Sequence, residues 1–441
     1  MLNVAIIGGG ISGLYAAHLL KASGLEVLVI EGADRLGGRL HTIYSPEGHP
    51  VDLGGQWIGP DHTLLQEWIH RHQIPTHRTY TNGENLLIHQ GKVKPYKGAI
   101  PKLSWLSLVD LGIGLARLKK MADRVSLHAP WQIPKPEWDE ISLAAWMRKA
   151  FRTAQARQTF AVGLATVLGC EPEEVSLWHT LFYIRSAGSI EALIETEGGA
   201  QERKFSRGAV SLIESIAANV PYRTGTRVRR VVWRPSRVDI YTSQDTLTAE
   251  KVILALPPAS MGYIEFEPPL PPTYHQLSQR MPMGTITKVI AIYDQPFWRK
   301  RGWSGHVLNL EGALRITFDT SPPEGEYGMI TGFAVGKQAR ALLTRSSAER
   351  EMYYGEALQN IFGAKPRWLY QKTWADEPLI GGCYVGYFGT GGWRFFGESL
   401  RKPLPPLYWA GTERAETWMG YIEGAMRSAE ATVQRILEEN G

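Results

Sequence analysis

Asn3-Val4-Ala5-Ile6-Ile7 is a short apolar run that opens directly onto Gly8-Gly9-Gly10-Ile11-Ser12-Gly13. An apolar run of this length, ended by glycine, reads as a buried strand. Ile11–Ser23 then reads as a helix, and Leu25–Glu31 as a second buried strand. Strand, glycine turn, helix and strand form the opening βαβ unit of a doubly wound sheet. Within it Gly8 allows the tight turn, Gly10 lets a pyrophosphate approach the backbone, and Gly13 lets helix pack on strand. The helix N-terminus, with Ser12 in its first turn, faces the phosphates. Glu31 ends the second strand, where its carboxylate accepts from ribose hydroxyls. This stretch predicts a dinucleotide site.

Outward from that unit the texture alternates. Around Leu106–Val125, Leu108, Leu111, Leu115 and Leu118 recur at helical spacing, and further helices follow to about residue 187 past the proline-rich segment Pro130–Pro136. From Val220 to Pro258 strands take over, with Val238–Tyr241 and Val252–Leu256 as apolar or β-branched runs, the second stopped by Pro257-Pro258. Lys288–Tyr293 is another strand. Leu407–Ala410 is a strand again, followed by a Gly-Thr-Glu turn and a helix from Tyr421 to Glu439. The expected fold class is α/β: a discontinuous Rossmann-type domain (1–80, 206–285 and 375–441) with an inserted α+β substrate-binding domain (81–205 and 286–374).

The bulk properties of the 441 residues are those of a globular chain, with 44% hydrophobic and 21% charged residues. The formal charge is +5, but the basic stretches Arg117–Arg124 and Arg227–Arg230 intersperse with apolar residues at helix or strand spacing. They read as solvated faces, so no nucleic-acid partner is expected. Two cysteines, Cys170 and Cys383, make no disulfide framework and no metal motif, which fits a reducing compartment. No run of 18 apolar residues exists, so no membrane span is expected.

Later motifs narrow the reading. After Glu31 come Arg35-Leu36-Gly37-Gly38-Arg39 and Asp52-Leu53-Gly54-Gly55-Gln56-Trp57. This arrangement resembles the flavoproteins with two dinucleotide-binding domains, which implies FAD rather than NAD. Further on stand Gln201-Glu202-Arg203-Lys204-Phe205, Pro282-Met283-Gly284-Thr285-Ile286-Thr287-Lys288, Gly381-Gly382-Cys383-Tyr384, Ala410-Gly411-Thr412-Glu413 and Trp418-Met419-Gly420-Tyr421-Ile422-Glu423-Gly424. In order, and over nearly the whole chain, these resemble the flavin monoamine oxidase family.

The resemblance implies roles. Lys288 matches the lysine that holds a water against flavin N5, and Tyr384 and Tyr421 match the paired tyrosines of the aromatic cage before the flavin. Trp57, Trp374, Thr412 and Ile422 match positions close to the flavin ring, and Val228 matches a residue meeting the adenine. Ile194, Gln201 and Ile316 match the substrate cavity. Cys383 matches the cysteine that, in mitochondrial members, forms a thioether to the flavin 8α carbon; relatives without that bond exist, so covalent and non-covalent FAD both stay open. Two departures stand out: Ile316 replaces an aromatic gate, and Ala33 replaces a basic residue near the ribose. The chain ends at Gly441 without the apolar tail of the mitochondrial members, so a soluble, bacterial-type enzyme of the cytoplasm is expected, with a homodimer left open.

The implied reaction converts an amine to an imine, then to aldehyde and ammonia, with reduction of O2 to H2O2. Alternatives are an L-amino acid oxidase, which needs a cation for the carboxylate; a polyamine oxidase, for which Glu195 and Glu197 are the candidate anions; and a flavoprotein desaturase. Arg315 adjoins Ile316, but on a strand it points the other way.

Overall fold

The computed structural model describes residues 1–98 and 100–439. Asn440 and Gly441, on which the expectation of a missing tail rests, lie outside the described residues. Leu2–Ile7 runs parallel between Val27–Ile30 and Thr246–Leu254, with Val4 opposite both Val27 and Lys251. They belong to an eight-stranded sheet that also takes in Tyr222–Arg223, Arg237–Thr242, Val228–Arg234, Glu265–Glu267 and Leu407–Trp409. Three distant stretches of chain therefore share one sheet. Ile11–Ala22 and Ile422–Glu438 pack on one face of it, around Val4, Ile6, Leu14 and Met426. Ala5, Ile7, Val252 and Leu254 fill the other face. Burial on both faces is why these strands are apolar without alternation.

Gly13 lies where a Cβ would sit 2.0 Å from the Gly8 carbonyl oxygen, so the helix rests on the strand only because no side chain intervenes. The second strand is shorter than Leu25–Glu31, because Glu26 is taken up at the chain reversal, its N–H donating to Asn3 Oδ1 at 2.9 Å.

A second sheet of seven strands runs Trp368–Thr373, Ile286–Tyr293, Gly328–Val335, Ile316–Asp319, Trp303–Asn309, Glu84–His89 and Lys92–Tyr96. Helices from Trp105–Ala122 to Ile190–Ile194 form a separate apolar cluster around Leu118, Trp178 and Phe182. Trp105–Ala122 is capped by Ser104, whose hydroxyl accepts from the Ser107 N–H. It ends three residues before the expected Val125. Among the described residues no helix is long and apolar enough to cross a membrane, and no group of three or more His, Cys, Asp or Glu could hold a metal ion.

Candidate active site

One cavity of about 700 Å³ runs between the two sheets and the helical cluster. Its first end is built from the opening βαβ unit. Gly8, Gly10, Ser12, Glu31, Gly38 and Val228 lie on its wall. Gly8 takes φ +111° and Gly38 φ +55°, in the left-handed region where glycine costs least. At Gly10 an added Cβ would meet nothing nearer than Gly38 Cα at 4.0 Å, so the backbone is open to close approach. Glu31 is fixed by two backbone donors, Gly9 N–H at 2.6 Å and Ala33 N–H at 2.8 Å. The helices Ile11–Ala22 and Ile422–Glu438 both begin at this cavity, and neither has a side-chain cap on its N-terminus. Two sets of free N–H groups thus favour negative charge here. The one acid in the first turn of Ile422–Glu438, Glu423, accepts instead from Leu64 and Leu65 N–H at 3.1 and 2.8 Å.

The middle of the cavity carries the charged machinery. Lys288 is 3% exposed on the strand Ile286–Tyr293, next to the edge strand Trp368–Thr373, and its ammonium donates to Asp52 O at 2.5 Å, Gln56 Oε1 at 2.7 Å and Gly54 O at 2.8 Å. The side chain thereby clamps the Asp52–Gln56 turn directly. Burial pulls Lys288 down to about 7, with nearby Asp52 opposing and Lys204 adding to the fall. Gln56 Nε2 and Trp57 Nε1 are buried on the same wall without any protein partner. Two orphaned donors in an apolar interior are costly unless a ligand accepts from them.

Arg39 forms a fork on Glu413, with contacts of 2.6 and 3.1 Å, and donates to the Tyr384 carbonyl at 2.7 Å. It ties the glycine-rich turn to two distant motifs as well as facing the cavity. Cys383 is 5% exposed, and burial pushes its thiol up to about 12, while Arg39 and Lys288 pull it down. Thr412 accepts from the Gly420 N–H at 2.6 Å and donates to the Tyr421 carbonyl at 3.1 Å, locking the turn before the last helix.

The far end is apolar. Tyr384, Tyr421, Trp57, Trp374 and Ile422 line the cavity, as do Ile194, Gln201 and Ile316. Leu308, Ile316, Phe318 and Phe333 come from adjacent strands of the second sheet, where alternation points them to one face. Leu111, Leu115, Phe160 and Leu164 close the opposite side. Gly163 also lies on this wall, and a Cβ there would meet nothing within 4 Å, so the cavity is roomy at that point. No Asp, Glu, Lys or Arg lines this end among the described residues. Arg315 is turned away onto the carbonyls of Asn309 and Leu310, and Glu195 and Glu197 are not on the wall.

Of the residues assigned to the flavin and the amine from the sequence, all but Gly13 line this one cavity; Gly13 serves packing behind it. Several wall residues carried no sequence signal. Tyr183 sits in the helix Leu177–Ser186, buried at every position but Arg185, and reads as core. Phe318, Phe333 and His306 are ordinary strand residues until the sheet aligns them. The cis peptide between Cys383 and Tyr384 was equally invisible.

A dinucleotide cradle with uncapped helix ends, orphaned donors around a buried lysine, and an apolar chamber beyond define a flavoprotein oxidoreductase. The chain belongs to the flavin-containing amine oxidoreductases, whose family model matches residues 11–437. The flavin-containing amine oxidase of Danio rerio is 34% identical, covering 99% of this chain and 85% of its own. Among solved structures, cyclohexylamine oxidase from Brevibacterium oxydans superposes with a TM-score of 0.94 at 30% identity, over 100% of this chain and 99% of its own. Putrescine oxidase bound to putrescine gives the same TM-score at 28% identity, with 99% of both chains covered.

Proposed function

We propose that this enzyme oxidises primary amines with an uncharged, apolar tail, using FAD and O2. The amine loses two electrons and two protons to become an imine, water converts the imine to aldehyde and ammonia, and O2 leaves as H2O2. The flavin, when bound, supplies the two-electron acceptor and returns the electrons to oxygen. Segments 1–80, 206–285 and 375–441 hold it, and segments 81–205 and 286–374 hold the amine. Gly8, Gly10, Ser12 and the adjacent helix N-terminus take the pyrophosphate, Glu31 the ribose, and Val228 the adenine. Gly38, Arg39, Gly54, Gly55, Gln56, Trp57, Trp374, Thr412 and Ile422 hold the flavin end. Tyr384 and Tyr421 align the amine, and the surrounding rings exclude water and favour its neutral form by desolvation.

The observation that carries this reading is that, among the described residues, no charged side chain lines the apolar end of the cavity. A diamine would bring its second ammonium there without an anion to meet it. A panel of arylalkylamines, cycloalkylamines, diamines and L-amino acids, read by peroxide release, tests it. Turnover is expected for the first two groups. Turnover confined to diamines or amino acids would overturn the substrate reading.

Cys383 is the proposed covalent anchor of the flavin. Gly381 and Gly382 precede it, and two cations, Arg39 and Lys288, offset part of the burial that holds its thiol protonated. Acid precipitation of the wild-type protein is expected to leave a yellow pellet, and Cys383→Ala a colourless one with the flavin in the supernatant. A wild-type polypeptide of unmodified mass contradicts the bond.

A further inference from the structure

Among the described residues His306 is the one imidazole on the cavity wall, and nothing in the reaction itself uses it. It sits on Trp303–Asn309 directly after Gly305, whose φ of +78° and close approach to Asp319 exclude a side chain there. The ladder to Glu84–His89 shifts register between Trp303 and Val307, and this irregularity sets the aim of the ring. Alternation then puts His306 and Leu308 on the cavity face while Val307 joins the core behind.

The ring is part of a continuous aromatic wall. From Tyr384 the ring centroids step 5.9 Å to Phe333, 6.4 Å to Phe318 and 5.3 Å to His306. The imidazole Nδ1 then lies 3.5 Å from the Tyr96 hydroxyl. Tyr96 is 3% exposed and has no other hydrogen-bond partner among the described residues. When the hydroxyl donates to Nδ1, the proton of the neutral ring sits on Nε2, for which no hydrogen bond is present among the described residues. The wall here therefore offers an unused ring donor and a hydroxyl at the edge of hydrogen-bond range, in a mostly apolar chamber whose other unpartnered polar atoms include the Thr159 hydroxyl and the Gln201 amide oxygen.

We infer that His306 and Tyr96 form a recognition subsite for a neutral hydrogen-bonding group, a hydroxyl above all, at the tail end of the amine. The inference rests on the proposed oxidation of apolar-tailed amines and names what distinguishes one such tail from another. A cationic tail does not fit, because among the described residues no carboxylate neighbours the pair on the cavity wall. Burial holds the imidazole down at about 4, so the ring is neutral at physiological pH. Its place three ring contacts from Tyr384 puts the recognised group at least an aromatic ring's length from the reacting nitrogen.

The test uses a matched pair of arylalkylamines, one with a hydroxyl at the end of the ring remote from the amine and one with a methyl in its place. The holoenzyme is expected to favour the hydroxyl form in kcat/KM by about tenfold, the factor one net hydrogen bond supplies. In His306→Leu and in Tyr96→Phe the ratio should fall toward one, and in His306→Gln, which keeps a donor, most of the preference should return. Flavin content monitors folding of each variant. Equal kcat/KM for the two amines in the wild type overturns the subsite while leaving amine oxidation intact. A wild-type ratio unaffected in both apolar variants also overturns it. Failure of both amines to reduce the flavin would instead bring down the substrate reading beneath it.

Discussion

Lys288→Met is expected to slow reoxidation of the reduced flavin by O2 about a hundredfold, the usual cost of removing one preorganised charge from a water-poor site. Oxygen accepts negative charge as it is reduced, and a buried ammonium stabilises that charge far more strongly than one in water. The three acceptors around Lys288, Asp52 O, Gly54 O and Gln56 Oε1, match the three hydrogens of an ammonium and leave none for the lone pair of a neutral amine. Burial nevertheless pulls the group down to about 7. The charged form therefore dominates below pH 7 and is lost above it. Reoxidation in the wild type should fall as pH rises through this value, whereas Lys288→Met should be slow at every pH. Stopped-flow mixing of reduced enzyme with oxygen across pH 6 to 9 reads both. The same substitution removes a clamp on the Asp52–Gln56 turn, so a lower flavin content is expected alongside. An unchanged reoxidation rate would return Lys288 to a purely structural role.

Glu413→Ala should destabilise the protein by about 3–5 kcal/mol, the range for breaking a buried ion pair from one side. Glu413 is fully buried, and the Arg39 side chain is 22% exposed, its open part facing the cavity. Without the carboxylate the guanidinium keeps only the Tyr384 carbonyl, and the Gly386 N–H loses its acceptor as well. Although burial pushes Glu413 up, the Arg39 charge and hydrogen bonds outweigh it and hold the carboxyl below its ordinary 4.5. For a depressed carboxyl, the stabilisation is present above the unfolded value and is lost as pH falls through the folded one. Wild-type stability should therefore drop in acid below about pH 4.5, and Glu413→Ala should lack that part of the slope. Urea unfolding midpoints at pH 7 and pH 4 measure both effects, with released flavin as a second signal. Equal midpoints for the two proteins at pH 7 would show that the pair contributes nothing.

How much of this was legible in the sequence differs by region. The opening strand and helix were readable because backbone constraints there are local: a Cβ at Gly13 would collide with Gly8 five residues away. Lys288 and Cys383 were readable because each sits in a run whose neighbours have recognisable types. The second sheet was harder. Phe318, Phe333 and His306 face the cavity only through pairing of Ile316–Asp319 with Gly328–Val335 and Trp303–Asn309, partners set by long-range register. Tyr183 was hidden for another reason: all of its helix but Arg185 is buried, so helical periodicity gives no sign of which side faces a chamber. The direct clamp from Lys288 to the Asp52–Gln56 turn spans more than 230 residues, and no local pattern encodes it.

The central claim, that this cavity couples oxidation of an apolar-tailed amine to a bound flavin, meets its most direct test in an anaerobic titration. The purified yellow enzyme is mixed with an arylalkylamine in the absence of oxygen, and its visible absorbance is followed before air is admitted. Stoichiometric bleaching by the amine, with colour and one H2O2 per flavin restored on adding oxygen, is the predicted result. A flavin that stays oxidised with every amine offered, or that bleaches only with an amino acid, would contradict the account.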